Sequence, residues 1–92
     1  MIRSFRCRDT QALFEIGKAK RFASLLVVAQ RKLALLDAAQ TLDALRAPPG
    51  NRLEALKGDR SGRYSIRVND QFRLCFKWTP DGPADVEIVD YH

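Results

Sequence analysis

Lys57, Arg73, Asp90, Tyr91 and His92 are side chains of this sequence whose types could together cleave RNA without a metal. RNA carries its own nucleophile, the 2′-hydroxyl. A protein need only help remove that proton, stabilise charge on the five-coordinate phosphorus and protonate the departing 5′-oxygen. Histidine ordinarily titrates near neutrality, so His92, the only one in the sequence, suits a proton transfer. Lys57 and Arg73 supply fixed positive charge for the phosphorane. Asp90 or Tyr91 would orient a partner or pass a proton. Each also has a plainer reading when taken singly: a solvated histidine, a lysine on the turn before Gly58, a strand-end carboxylate and a core-edge aromatic.

Other chemistries find less support. A single histidine and scattered carboxylates do not make a metal-ligand set, so no metal and no cofactor is expected. No Gly-x-Ser-x-Gly, Walker or dinucleotide fingerprint occurs. Cys7 and Cys75 lack metal-binding spacing and read as reduced packing residues. The net charge of +5 and pI near 9.7 point to a polyanionic partner, nucleic acid first. Ninety-two residues, 46% hydrophobic and 29% charged, suit one globular domain over 1–92. "MIRSFRCRDT" lacks the apolar run of a signal peptide and "LLVVA" is too short to span a bilayer, which reads as a cytoplasmic protein.

The elements that must position these residues follow from periodicity. Ile2 to Arg6 reads as a first strand. Asp9 or Thr10 could cap a helix through "QALFEI" that Gly17 ends. Phe22, Leu25, Leu26, Ala29, Leu33 and Leu36 recur at helical spacing, predicting a longer second helix of about four turns. Leu42 and Leu45 continue a helical turn, and "APPGN" stops it as a hinge between a helical half and a strand half. Beyond Pro49 the period becomes two, in "RYSIRVN", "FRLCFKW" and "ADVEIV". The expected fold is α+β, ordered β-α-α-β-β-β, with two helices packed on one face of a mainly antiparallel sheet.

A three-residue loop, Asn69–Asp70–Gln71, would pair Val68 with Phe72, Ile66 with Leu74 and Tyr64 with Phe76, putting every apolar side chain on one side. That register sets Arg67 opposite Arg73 and Arg63 opposite Lys77 on the other face, with Ser65 and Cys75 between. Like charges directly opposite across strands repel, and a bound polyanion would relieve them. Arg60, Arg63, Arg67 and Lys77 are therefore the RNA-binding candidates, beside Lys57 and Arg73. A basic sheet suits a flexible RNA strand, with Tyr91 available to stack on a base.

"MIRSF", "LKGDRSGRYSIRVNDQFRLCF" and the final "VEIVDYH" resemble the HigB-type toxins of the RelE/ParE superfamily, from bacterial type II toxin–antitoxin systems. The resemblance spans essentially the whole chain. It implies a ribosome-dependent, metal-independent endoribonuclease that cuts mRNA in the ribosomal A site. Within its motif, Lys57 and Arg73 would stabilise the phosphorane, His92 would transfer a proton, Asp90 would orient or share one, and Tyr91 would position the base or the 2′-OH. Some relatives carry a histidine shortly before "LKG". Here Glu54 stands in its place, which makes Glu54 a candidate general base and leaves the identity of that base open. The resemblance also implies a HigA-like helix-turn-helix antitoxin, with operator DNA bound only through the toxin–antitoxin complex. The alternatives are a ParE-like toxin that poisons DNA gyrase without RNA chemistry, and a non-catalytic RNA-binding module. Strict alternation beyond Val86 and Ile88 would send Tyr91 away from Asp90 and His92, so an irregularity after Val89 is expected.

Overall fold

The computed structural model describes residues 1–60 and 62–90. Helix α1 (Arg8–Ile16) ends at Gly17, whose left-handed φ of 70° and amide bond to the Leu13 carbonyl make the expected C-terminal cap. Its start differs from expectation. Cys7 is the N-cap and makes no side-chain cap bond, while Thr10 lies inside the helix, fully buried. The Thr10 hydroxyl instead accepts the Ile88 amide at 3.0 Å, tying the helix to the last strand. An internal donor that would otherwise be buried unpaired is satisfied this way.

The second helix starts later than its periodicity implied, at Leu26 rather than Phe22. Lys20–Leu25 is a 3-10 turn, and the α-helix α2 runs Leu26–Ala38. Phe22 has non-helical φ and ψ of −113° and 22°, and its ring meets Phe72 edge-on with centroids 6.0 Å apart. Spacing alone did not separate a tight turn from the first turn of a helix, because both bury Phe22 and Leu25. Further 3-10 turns follow at Asp43–Arg46, Pro49–Asn51 and Gly58–Arg60.

The described strands are β1 (Glu54–Ala55), β2 (Arg63–Arg67), β3 (Phe72–Thr79) and β4 (Gly82–Asp90), in that spatial order and antiparallel throughout. The two-residue β1 was not foreseen. The first strand expected at Ile2–Arg6 reduces to a parallel bridge, Phe5 to Val86, flanked by main-chain bonds from Arg3 and Arg6. The β2–β3 register is the expected one: Arg63 faces Lys77, Tyr64 faces Phe76, Ser65 faces Cys75, Ile66 faces Leu74 and Arg67 faces Arg73. Asn69 closes the loop by accepting the Gln71 and Phe72 amides at 2.9 and 2.8 Å.

Leu13, Phe22, Ala29, Leu33, Leu36 and Leu45 from the helical half meet Ile66, Leu74, Phe76, Val86 and Ile88 in one core. The architecture is thus the anticipated α+β arrangement, helices on one face of an antiparallel sheet. Its one marked irregularity in β4 is a bulge. Cys75 pairs with Glu87 but Lys77 pairs with Ala84, which leaves Asp85 extra, at φ 51°. β4 stays paired through Asp90, and the irregularity expected after Val89 otherwise falls on Tyr91 and His92, outside the described residues.

Candidate active site

Because side chains alternate along a strand, β2 and β3 turn Arg63, Ser65, Arg67, Arg73, Cys75 and Lys77 away from the helices. This face is less open than a run of charges suggests. Ser65 and Cys75 are fully buried and Arg73 is only 7% exposed. A buried guanidinium is tolerable when acceptors surround its fixed fork of donors. Arg73 meets that condition. Its Nε donates to Ser65 Oγ at 2.8 Å, and its Nη2 donates to the Arg52 and Ser65 carbonyls at 2.6 and 3.3 Å. Glu54 Oε1 lies 4.0 Å from Nη1.

The elements explain the convergence. Pairing of β1 with β2 puts Glu54 opposite Ser65, and pairing of β2 with β3 puts Ser65 opposite Cys75, two register positions from the Arg67–Arg73 pair and so next to it on the same face. Arg52 enters from the loop before β1 in the left-handed region, at φ 45° and ψ 59°, and so turns its carbonyl to Arg73. Half of the Glu54 side chain stays exposed. The result is a fixed cation with a partly hydrated carboxylate beside it: a charge stabiliser adjacent to a group able to take a proton.

The other cations divide. Arg67 forms an ion pair with Asp70, three residues on in the loop. Arg63 pairs with Asp85 of the bulge at 3.0 Å, while its buried Nη1 has no acceptor among the described residues. The like-charge repulsion across β2 and β3 is thus offset in part by the protein's own carboxylates as well as being open to a polyanion. Lys77 is exposed. Lys57 is exposed too, and lies beyond the Leu56 amide that donates to the Arg63 carbonyl at 2.8 Å, toward the Arg63 end of β2 rather than the Arg73 end.

Asp90 pairs directly with Phe72, so it belongs to the helix-packed face, opposite that of Arg73, where it accepts from Gln71 Nε2 at 3.0 Å. Tyr91, His92 and the Arg60 side chain lie outside the described residues. The structure therefore joins Glu54 to Arg73 and turns Asp90 to the opposite face of the sheet.

Residues not singled out by type complete the site. Ser65 carried a faint signal, a small polar residue at the centre of a basic strand. Arg52 carried none, since its contribution is a carbonyl oxygen. Asn51, fully buried, and Lys32 form a hydrogen bond just behind it. Burial, then the nearby Arg67 and Arg31 charges, hold the Lys32 ammonium below its ordinary pKa.

A family model described as the RelE-like toxin of type II toxin–antitoxin system HigB matches residues 3–92. Toxin HigB-1 of Vibrio cholerae serotype O1 is 43% identical over 94 aligned positions, covering 100% of this chain and 98% of that protein. An uncharacterized protein of Haemophilus influenzae is 43% identical over 56 residues, which is 61% of this chain and 55% of that one. Among solved structures, a YoeB/ParE toxin from Agrobacterium tumefaciens superposes with a TM-score of 0.57 at 16% identity, covering 99% of this chain and 98% of that one. That last likeness concerns the fold alone.

Proposed function

The chain belongs to the HigB-like toxins, RelE-like toxins of type II toxin–antitoxin systems, and from that membership we propose that it is a ribosome-dependent, metal-independent mRNA endoribonuclease. The observation that carries the reading is the buried Arg73 guanidinium, fixed on three oxygens, with the half-exposed Glu54 carboxylate 4.0 Å away. An arginine so held cannot lose its charge and need not reorganise as negative charge builds up on a phosphoryl group.

The reaction runs in one displacement. The substrate 2′-oxygen attacks phosphorus as its proton passes to a base, for which Glu54 is the candidate. Arg73 and Lys57 stabilise the phosphorane. His92 protonates the 5′-oxygen as its bond to phosphorus breaks, leaving a 2′,3′-cyclic phosphate. Tyr91 positions the base or the 2′-OH, while Asp90, on the opposite sheet face, has no role in the step. Arg60, Arg63, Arg67 and Lys77 contribute phosphate contacts along the strand.

Membership of the family implies an antitoxin partner. In this proposal the antitoxin is a HigA-like helix-turn-helix protein, the complex rather than the toxin alone binds operator DNA, and the toxin works on translating ribosomes in the cytoplasm. No helix of the described residues is long and apolar enough to cross a membrane.

The test compares wild type with a chain lacking His92, on mRNA in programmed ribosomes and on free RNA, with EDTA present throughout. Cutting of the A-site codon by wild type alone supports ribosome-dependent, metal-free chemistry. No cutting by either, with gyrase poisoning retained by both, would sink the nuclease reading.

A further inference from the structure

The segment that enters the site, Pro48 to Glu54, was legible in sequence only as a stop between two halves. In the fold it connects them. Asn51 is fully buried, and among the described residues its side chain bonds toward the helical half: Nδ2 donates to the Leu45 carbonyl at 3.1 Å, and Oδ1 accepts from Lys32 Nζ of α2. Its amide donates to the Pro48 carbonyl at 3.0 Å, closing a 3-10 turn over Pro49. The next residue, Arg52, is held in the left-handed region and bonds toward the strand half through its carbonyl, 2.6 Å from Arg73 Nη2. Two residues further, Glu54 begins β1 beside the same guanidinium.

We infer that Asn51 is a positioning residue of this site: braced by Lys32 and Leu45, it sets the turn at Arg52 that aims a carbonyl at Arg73. A non-glycine residue in the left-handed region persists where its surroundings over-determine it. The Arg52 side chain is exposed, so the contacts available to hold the turn are those of Asn51 on one side and the Arg73 bond and the packed Leu53 on the other. Lys32 is drawn out of water to reach Asn51, which accords with its lowered pKa. If Asn51 is truncated, the Arg52 peptide can rotate and Arg73 loses one of its fixed acceptors while every group of the site remains present.

The catalytic consequence rests on the nuclease reading, but the geometry does not, and the experiment has an arm for each. The first arm follows the Arg73 Nη2–Hη resonances by NMR at low temperature, since Nη2 is the donor to the Arg52 carbonyl, assigned through their disappearance in Arg73→Lys. Slow solvent exchange in wild type is expected, at least about tenfold faster exchange in Asn51→Ala, and no change in Arg52→Gly, which keeps the carbonyl and accepts the left-handed turn. Lys32→Met, which leaves the Leu45 bond in place, gives an intermediate result and carries this arm where Asn51→Ala does not fold. The second arm measures single-turnover cleavage on programmed ribosomes. Asn51→Ala lowers the rate at saturation about tenfold with half-saturation changed less than about twofold. Combined with Arg73→Lys it is no slower than Arg73→Lys alone, because residues acting through one another are not additive. Unchanged Hη exchange in Asn51→Ala or, failing its folding, in Lys32→Met overturns the inference, as do additive losses in the double variant. A wild type that leaves ribosomal mRNA intact defeats the nuclease reading, and the NMR arm still decides the role of Asn51.

Discussion

Arg73 Nε donates to Ser65 Oγ at 2.8 Å in the middle of a sheet face, where Ser65 is fully buried. One strand thus offers a hydroxyl and the next strand a charged fork, at neighbouring positions on the same face. The pair turns what would be an unsupported internal cation into a fixed element of the site.

Removing the Ser65 hydroxyl leaves a charged donor short of one acceptor. Ser65→Ala is expected to lower stability by about 1.5–3 kcal/mol, the range for a hydrogen bond to a charged group. Urea denaturation should show a lower midpoint with an unchanged slope. Cleavage should fall with it even at temperatures where the variant is fully folded.

Arg73→Lys keeps the charge and discards the planar fork, so it cannot reach Ser65 and Arg52 together in the same geometry. The cleavage rate at saturation should drop about 100-fold or more, in line with the loss of a preorganised donor. Ribosome affinity should stay within a few-fold of wild type. A rate equal to wild type would remove Arg73 from the chemistry.

Arg67 is tied to Asp70, which is almost wholly exposed. Asp70→Asn releases a cation onto the basic face. Affinity for single-stranded RNA should rise a few-fold, and the slope of log affinity against log salt should steepen by about 0.7, the value for one additional phosphate contact on a single strand. Titrations at several salt concentrations measure both, and an unchanged slope would show that Arg67 does not meet phosphate.

Arg63 is mostly buried, and Asp85 is its carboxylate partner across the bulge. Asp85→Asn retains a residue type that tolerates positive φ yet leaves that guanidinium without a counter-charge. A loss of about 1–2 kcal/mol is expected, moderated because Asp85 is itself partly in solvent. Thermal melts of the single variants and of the double variant with Arg63→Met should show strong coupling.

Lys32 titrates below the ordinary lysine value of 10.5 in the folded chain, through burial first and then through Arg67 and Arg31. The unfolded chain therefore binds more protons between the two pKa values, and stability must rise with pH across that window. This contribution is complete above 10.5 and absent below the folded pKa. Lys32→Met should flatten that rise in urea midpoints followed from neutral pH upward. An identical profile in the variant would place the titration elsewhere.

The parts of this fold that sequence determines by itself are those set by local period and neighbouring residue type. Alternation in "RYSIRVN" and "FRLCFKW", with a loop able to close on Asn69, specified the β2–β3 register, and hence that Arg67 would face Arg73 and Arg63 would face Lys77. Gly17 marked the end of α1 because a left-handed cap favours a residue without a side chain. The family motif likewise named Arg73 before its surroundings were known. What period could not resolve was a 3-10 turn at Lys20–Leu25 from a helical start, or Thr10 as a tether rather than a cap, since the partner amide of Ile88 lies 78 residues away.

Only the tertiary structure decided which cations are held by carboxylates and which backbone oxygens serve the site. Asp85 meets Arg63 because one extra residue bulges out of β4, and an ion pair separated by 22 residues leaves no periodic trace. The Arg52 carbonyl is the clearest case. Every residue has such an oxygen, so its use depends on a dihedral angle, and that angle depends on Asn51 and Lys32 packing behind it. Side-chain pattern tells which face a residue occupies, whereas backbone direction at a loop is set by contacts that form only when the two halves of the chain meet.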